Sequence, residues 1–493
     1  MKKKKEGSKM ERLFKTIEEG KDNIFIKNDK GESVTYKETL DYTLKIKEVI
    51  SERCFVFLFT KNNIGGVLNY VACIKNRIVP FLLSAETNKE LVNNLLEVYK
   101  PRYIFLPVEL KDNYKDYKIV YEDYDYSILR TNYNEEEKLD EDLCMCTSTS
   151  GSTGTQKLVR LSYQNIAENT MQGWDFFYTN LERENIPLDN SNFKCLVALP
   201  INYSFVLLII NIVLWGGGVV LITERNPFEK EFWEFFVREK ANTFHGIPYH
   251  CEILNKIGFF ENQYPDLQIM IIAGGVLSNE LYDKCVSFAK RNKTIFGIGY
   301  GQSEATAVIS ELEGDKVESK KGSIGKGLTG MNLYLIDDAG NKINKPGIDG
   351  ELVVEGNNIA LGYSKDRKDL SKGNEFNKVL YTGDIAVFDE DGYFYIKGRK
   401  SRFVKLYGNR INLDDIELLI KKEYKNLDIA CVGKDEKIYI FINDEKYQNE
   451  VEAFILSKLN LNKKAIETKY MEKIPRNESG KVLYSSLVNC NEK

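Results

Sequence analysis

Along the first hundred residues the apolar positions recur with two different periods. Ile24-Phe25-Ile26 and Ser33-Val34-Thr35 flank the turn Asp29-Lys30-Gly31 and predict a hairpin, while Tyr36 to Ile50 carries an apolar stripe at helical spacing. Apolar runs at Cys54–Phe59, Val79–Leu83 and Tyr103–Leu106 predict strands, separated by helical patterns at Asn63–Lys75 and Asn88–Tyr99. Such alternation predicts βαβ units and a parallel sheet. Lys111 to Asp142 is polar, tyrosine-rich and acidic on balance, and reads as a surface excursion. Leu143–Cys146 reads as a short buried strand and Leu161–Thr170 as the start of a helix.

The alternation then resumes. Strands are predicted at Phe193–Leu199, Thr243–Ile247, Gln268–Ala273 and Thr294–Gly299, with helices at Phe228–Glu239 and Tyr249–Ile257. Phe205 to Ile222 is 18 residues without formal charge, at the lower edge of what spans a bilayer. Asn211 and Gly216-Gly217-Gly218 divide it, and a buried helix, a glycine turn and a core strand at Val219–Ile222 account for it better than a membrane span. Beyond Gly330 the texture changes to short strands with Asp-Gly and Gly turns, at Leu333–Ile336, Gly350–Val354, Asp384–Phe388 and Gly392–Lys397. This predicts a small antiparallel β subdomain. The remainder reads as a compact α/β unit, with helices at Leu413–Glu423 and Glu450–Leu459 and strands near Ile429–Val432 and Ile438–Ile442.

Composition narrows the function classes. A chain of 493 residues is too long for one core, so two to four domains or subdomains are expected. A net charge of −4 with 29% charged residues offers nothing to recruit nucleic acid. The basic run Met1–Lys5 has no apolar stretch behind it and reads as a solvated terminus, not a secretory signal. Nine cysteines occur without a C-x-x-C pair, and Cys54, Cys73, Cys195 and Cys431 lie inside apolar runs, which predicts reduced, buried thiols in a cytoplasm. With only His245 and His250 in the chain, a histidine-based zinc site or a Ser-His-Asp triad has little material.

The most suggestive chemistry lies in Thr147-Ser148-Thr149-Ser150-Gly151-Ser152-Thr153-Gly154-Thr155-Gln156-Lys157, read as a loop between a strand and a helix. Hydroxyls, bare backbone N–H groups and one cation suit a polyphosphate, since glycine lets the backbone approach and the ammonium offsets charge. A flexible Ser/Gly linker has the same composition. The spacing is not that of a Walker A loop. Gly274-Gly275 closes a predicted strand, where a flat ring could lie on the backbone or the chain could simply turn. Tyr300-Gly301-Gln302-Ser303-Glu304-Ala305-Thr306 closes another and offers an aromatic, a hydroxyl and a carboxylate, enough for a base, a phosphate and a divalent cation, or for an ordinary polar loop.

With Tyr381-Thr382-Gly383-Asp384, Gly398-Arg399-Lys400-Ser401-Arg402 and Ile474-Pro475-Arg476-Asn477-Glu478-Ser479-Gly480-Lys481, these motifs in this order resemble the acyl-adenylate-forming (AMP-binding) superfamily, over nearly the whole chain. Acyl-CoA synthetases, peptide-synthetase adenylation domains, D-alanine carrier-protein ligases and firefly luciferase belong to it. The resemblance implies a mixed α/β fold with a large N-terminal domain over residues 1–400, built from parallel-rich α/β subdomains and a β subdomain at 331–400. A small mobile C-terminal α/β domain would follow over 401–493. It implies that Thr149, Ser150, Gly151, Ser152, Thr153, Gly154 and Lys157 close on the ATP phosphates, and that Gly274, Gly275 and Tyr300 hold adenine. Gly301 and Gln302 would lie in the same nucleotide loop, Ser303 would contact the α-phosphate and Glu304 would bind Mg²⁺. Asp384 would take the ribose hydroxyls and Arg399 would lie beside ribose and phosphate. Lys481 would enter for adenylation, Ser401 would be the hinge, and Lys405 and Gly408 would serve thioester formation.

The implied reaction is ATP-dependent activation of a carboxylic acid to acyl-AMP with release of pyrophosphate, then transfer to a thiol. The acceptor would be CoA or the phosphopantetheine of a separate acyl carrier protein, with no fused carrier domain expected after Lys493. Such chemistry needs positioning and charge neutralisation and no general base, which accords with a chain almost without histidine. Some positions depart from the family pattern: Gln156 replaces the usual proline, Leu158 the usual glycine, and Tyr203 stands where many acyl-CoA ligases carry histidine. Near Asn202 there is no acid to meet an α-ammonium, which points to an acyl or aryl acid before an amino acid. Amino-acid activation for a carrier protein is the alternative, and luciferase-like oxidation a remoter one. The acid pocket is expected between Asn202–Leu208, Phe244–Pro248 and Gly299–Thr306.

Overall fold

The computed structural model describes residues 9–136, 138–148, 157–184, 186, 193–406, 409–434, 437–459, 462–476 and 482–489. The described residues divide into two compact units, the first drawn from 9–148, 157–333 and 354–380, the second from 334–353 and 381–489.

Two large sheets build the first unit. One has eight strands, in the order Gly362–Ser364, Leu158–Ser162, Leu143–Ser148, Val79–Ser84, Phe55–Thr60, Tyr103–Pro107, Tyr126–Arg130 and Lys118–Asp123. Its centre is parallel and the strands on both flanks pair antiparallel. Phe55–Thr60 is buried at every position because both faces are covered. Val56 and Leu58 face the central core, whereas Phe55, Phe57 and Phe59 pack with Phe81 and helix Lys89–Tyr99. A strand buried on both faces reads as a continuous apolar run, which is why the sequence reveals it.

The second sheet has nine strands, in the order Lys326–Gly327, Ser310–Leu312, Ile295–Tyr300, Ile269–Ala273, Thr243–Gly246, Lys194–Leu196, Val219–Ile222, Ile24–Asn28 and Ser33–Thr35. From Ile295–Tyr300 to Ile24–Asn28 it is parallel. Helices Ile64–Lys75, Tyr163–Arg183 and Ser204–Gly216 contribute to one continuous core with residues of both sheets. Ser204–Gly216 ends at Gly217, whose φ of 77° is the left-handed conformation glycine adopts at helix C-termini. The run Phe205–Ile222 is thus a buried helix, a turn and a strand, and no described helix is long and apolar enough to cross a membrane.

Three expectations are corrected. Lys111–Asp142 is not merely a surface excursion: it contains strands Lys118–Asp123 and Tyr126–Arg130, the second with four buried residues paired to Tyr103–Pro107. Leu158–Ser162 is a strand, and the helix begins only at Tyr163 behind a Ser162 capping box. The Ser/Thr/Gly stretch therefore joins two antiparallel strands, Leu143–Ser148 and Leu158–Ser162, so the reasoning from a helix N-terminus does not apply to it. Helices Lys9–Glu18 and Asn279–Asn292, to which the sequence reading gives no element, complete the unit.

The second unit holds most of a five-stranded sheet, in the order Lys342–Ile343, Asn332–Ile336, Gly350–Glu355, Val379–Phe388 and Phe394–Arg399. Beyond it lie a hairpin, Phe403–Leu406 with Asn409–Asn412, and a three-stranded sheet of Ile429–Lys434, Lys437–Ile442 and Ile466–Tyr470. Helices Leu413–Glu423 and Gln448–Leu459 pack on these strands through their own core. Arg402, next to Ser401, is buried against Glu417 at 2.6 Å and Asp414 at 2.7 Å, with its guanidinium 3.8 Å from the Tyr484 ring.

Candidate active site

In the first unit the site is built at the end of strand Ile295–Tyr300. Gly301 follows, and a Cβ there would stand 1.7 Å from the Ala307 carbonyl, so only glycine allows the chain to fold back. Ser303–Ala305 makes one 3₁₀ turn, closed by Thr306 at φ 70° and ψ −60°, a sparsely populated conformation for a β-branched residue. Thr306 Oγ1 donates to Asn358 O at 2.6 Å, and Ala360 N donates to Glu304 O at 2.9 Å. These bonds hold the turn against the 357–360 segment.

Glu304 Oε1 accepts a hydrogen bond from the Tyr363 hydroxyl at 2.8 Å. Lys157 Nζ lies 5.3 Å from the centroid of the same Tyr363 ring, within cation–π range. One phenol thus connects the cation that ends the Ser/Thr/Gly stretch with the carboxylate of the Tyr300–Thr306 turn. Sequence reasoning misses Tyr363, because its strand pairs only with Leu158–Ser162, some 200 residues earlier. Arg160 fixes that pairing: it is fully buried, its Nε donates to Tyr363 O at 3.1 Å, and it also bonds Lys372 O and Glu375.

Two of the segments expected around the acid meet at one point. Ser204 Oγ, at the start of helix Ser204–Gly216, lies 3.4 Å from Ser303 Oγ, and Asn202 Oδ1 is buried without a hydrogen-bond partner. His245 is buried between Phe177 and Phe205, at centroid distances of 5.4 and 5.8 Å, with Nδ1 3.3 Å from Cys195 Sγ. Burial pushes its pKa down to about 3 and that of His250 down to about 4, so both stay neutral. Gly274, at φ 81°, and Gly275 lie against Ile247 and Pro248, at the end of the strand as expected. Gln302 Nε2 reaches the Tyr300 hydroxyl at 3.4 Å.

In the second unit Asp384 and Arg399 face each other across the strands Val379–Phe388 and Phe394–Arg399. Arg399 Nε is 2.9 Å from Asp384 Oδ1, and Arg399 Nη1 donates to Thr382 O at 3.0 Å. Asp384 is buried and Arg399 half exposed, so the carboxylate is held in the protein while the guanidinium stays open to a ligand. Ser401 lies in the 3₁₀ turn Lys400–Arg402, and Lys405 in the strand Phe403–Leu406. Thr149 to Gln156, Gly408 and Lys481 lie outside the described residues.

A family model described as "AMP-binding enzyme" matches residues 13–364, from the first helix to the strand that carries Tyr363. The chain belongs to the AMP-binding enzyme family. Among curated relatives, this AMP-binding enzyme is 25% identical over 351 residues to a 2-succinylbenzoate–CoA ligase of Bacillus cytotoxicus, covering 69% of this chain and 68% of that protein. It is 27% identical to a long-chain-fatty-acid–CoA ligase of Salmonella typhimurium, over 73% of this chain and 63% of that one. With nonribosomal peptide synthetase 5 of Aspergillus fumigatus it shares 28% identity over 60% of this chain and only 12% of that protein. Among solved structures, the o-succinylbenzoate CoA synthetase of Bacillus subtilis with ATP and magnesium ion aligns at a TM-score of 0.74 and 18% identity, over 97% and 99% of the two chains. The ATP-bound MatB of Rhodopseudomonas palustris aligns at 0.75 and 18%, over 98% and 99%. These structural likenesses show the fold: large N-terminal and small C-terminal parts, mixed α/β.

Proposed function

We propose that this AMP-binding enzyme is an AMP-forming acid–thiol ligase that converts a carboxylic acid and MgATP to acyl-AMP and pyrophosphate, then transfers the acyl group to a thiol. The observation that carries this reading is the meeting of Lys157 and Glu304 on Tyr363 within the matched region. Attack of an ionised carboxylate on an α-phosphorus builds charge on a centre already anionic, so cations and fixed dipoles do the work. Lys157 would neutralise the departing pyrophosphate. Glu304 would hold Mg²⁺; among the described residues no group of three or more His, Cys, Asp or Glu could hold a metal, and one carboxylate suits a Mg²⁺ whose other ligands are phosphate oxygens and water. Bound Mg²⁺ would supply charge neutralisation at the phosphates.

Asp384 would accept from the ribose hydroxyls while Arg399 turns toward the phosphate. The buried carboxylate and its half-exposed partner accord with that exchange. Lys481 would serve adenylation, Lys405 the thioester step, and residues 401–493 would turn about Ser401 between them. CoA as acceptor is supported by the names of the two ligase relatives. Carrier-bound phosphopantetheine, and with it amino-acid activation, is supported by the peptide-synthetase match. The eight buried free thiols among the described residues accord with a cytoplasmic setting. The test is a panel of carboxylic acids with MgATP, scored for acid-dependent release of pyrophosphate and AMP, followed by CoA against a holo-carrier protein. Release of ADP and phosphate in their place would exclude the reading.

A further inference from the structure

The strand Ser310–Leu312, antiparallel to the one that leads into the Tyr300–Glu304 turn, carries a buried carboxyl for which the described residues offer no countercharge. Glu311 pairs in register with Gly299 and is 7% exposed, yet its Oε2 has no hydrogen-bond partner. Glu313, two residues on, also has a buried Oε2 without a partner. Burial and the nearby Glu313 both push the Glu311 carboxyl up, the response of an acid that lacks a countercharge. Lys326, its register partner on the outer strand, is exposed.

The position of this carboxyl relative to the candidate site is set by glycines. A Cβ built on Gly299 would lie 3.8 Å from Glu311 Oε1, so Glu311 is on the face of the sheet to which Gly299 offers no side chain. Gly297 is on that face too, where a Cβ would stand 2.8 Å from Ile271 Cδ1 and 3.9 Å from the Phe176 ring. His245, in register with Ile271, lies farther along the same face with its Nε2 unpartnered. Helix Tyr163–Arg183 covers this side, through Phe176 and Phe177. Gly299 is the residue before Tyr300, at the root of the turn that carries Ser303 and Glu304. Groups reached from the Ser303 end would be those at the far end of the acid.

We propose that Glu311 is a specificity-determining residue that pairs with a protonated amine at the end of the acid substrate remote from the reacting carboxylate. The inference rests on the adenylation reading and names its substrate class: carboxylic acids with a distal basic group. Burial without a countercharge favours the neutral carboxyl, and an entering ammonium supplies the charge that stabilises its ionised form, whereas a methyl terminus supplies none and a distal carboxylate brings a further negative charge beside it. The segment near Asn202 has no acid for an α-ammonium, whereas the strand Ser310–Leu312 would offer one to a distal amine.

The experiment compares wild-type protein and Glu311→Gln by acid-dependent pyrophosphate release. The acids are ω-amino acids of graded length, the n-alkanoates with methyl in place of the amine, and the α,ω-dicarboxylates. Wild type should favour an ω-amino acid over its methyl counterpart by roughly 100-fold in kcat/KM. Glu311→Gln should remove most of that preference by slowing the amine substrates while leaving the alkanoates unchanged. A wild-type preference for alkanoates or dicarboxylates overturns the proposal and leaves adenylation standing, and that comparison decides alone should Glu311→Gln fail to fold. An equal loss on amines and alkanoates in a folded variant also overturns it. No pyrophosphate with any acid would remove the adenylation reading and this inference with it.

Discussion

Tyr363 links the two charged groups of the candidate site in the first unit. Its hydroxyl occupies one lone pair of Glu304 and its ring faces the Lys157 ammonium, so its removal should disturb metal and phosphate handling together. Tyr363→Phe should raise the Mg²⁺ concentration for half-maximal pyrophosphate release by roughly tenfold, the weight of one charge-assisted hydrogen bond of about 1.5 kcal/mol. Glu304→Gln should raise it much further, and Mg²⁺ titrations of the two variants check both. The histidines give a second prediction. His245 folds neutral, with its pKa pushed down to about 3, whereas in the unfolded chain it protonates near about 6.5. The unfolded state then binds the extra proton, so stability is lost as pH falls through that window, by about 1.4 kcal/mol per pH unit for one such group. Urea midpoints between pH 6.5 and 4 should fall more steeply for wild type than for His245→Phe. Glu311 works in the opposite direction, since its raised carboxyl costs stability as pH rises above the unfolded value.

At the scale of elements, the strand Leu158–Ser162 shows what the sequence conceals. Its pattern is broken by Arg160, and a charge in an apolar run suggests a helix face or a loop. In the fold Arg160 is fully buried, because the carbonyls of Tyr363 and Lys372 and the carboxylate of Glu375 satisfy its donors. Those partners lie more than 200 residues away, beyond any local pattern. Tyr126–Arg130 escapes for a related reason: Tyr126, Ser127, Ile128 and Leu129 are buried, but polar segments dilute the signal on both sides. By contrast Phe55–Thr60 and Val79–Ser84 are read correctly because sheet burial on both faces leaves an unbroken apolar run. Arg160→Met should destabilise the protein by about 2–4 kcal/mol, since it leaves buried carbonyls without donors. A shift of the urea midpoint checks this. Activity should fall with it, because the same residue anchors the Tyr363 strand.

For the molecule as a whole, the sequence reveals the kind of chemistry and the order of its parts better than their geometry. The resemblance rests on motifs at Lys157, Gly274-Gly275, Tyr300–Glu304, Asp384 and Arg399, and the family match over 13–364 bears out the family. Side-chain meetings such as Glu304 with Tyr363, or the lone carboxyl of Glu311, depend on strand order and register and have no local signature. The proposed cycle separates two jobs along the chain. Lys481→Ala should abolish acyl-AMP formation yet still convert chemically prepared acyl-AMP to thioester, as single-turnover assays of the two half-reactions would show. Two-step chemistry through acyl-AMP is tested by trapping that intermediate. Enzyme, MgATP labelled in the α-phosphate and an accepted acid are mixed without thiol, quenched and separated, then chased with CoA or holo-carrier protein. Labelled acyl-AMP is expected at up to one equivalent per enzyme, formed with pyrophosphate and converted by the thiol to thioester and AMP. Thioester formation accompanied by ADP, or without any labelled acyl-AMP before the chase, would contradict it.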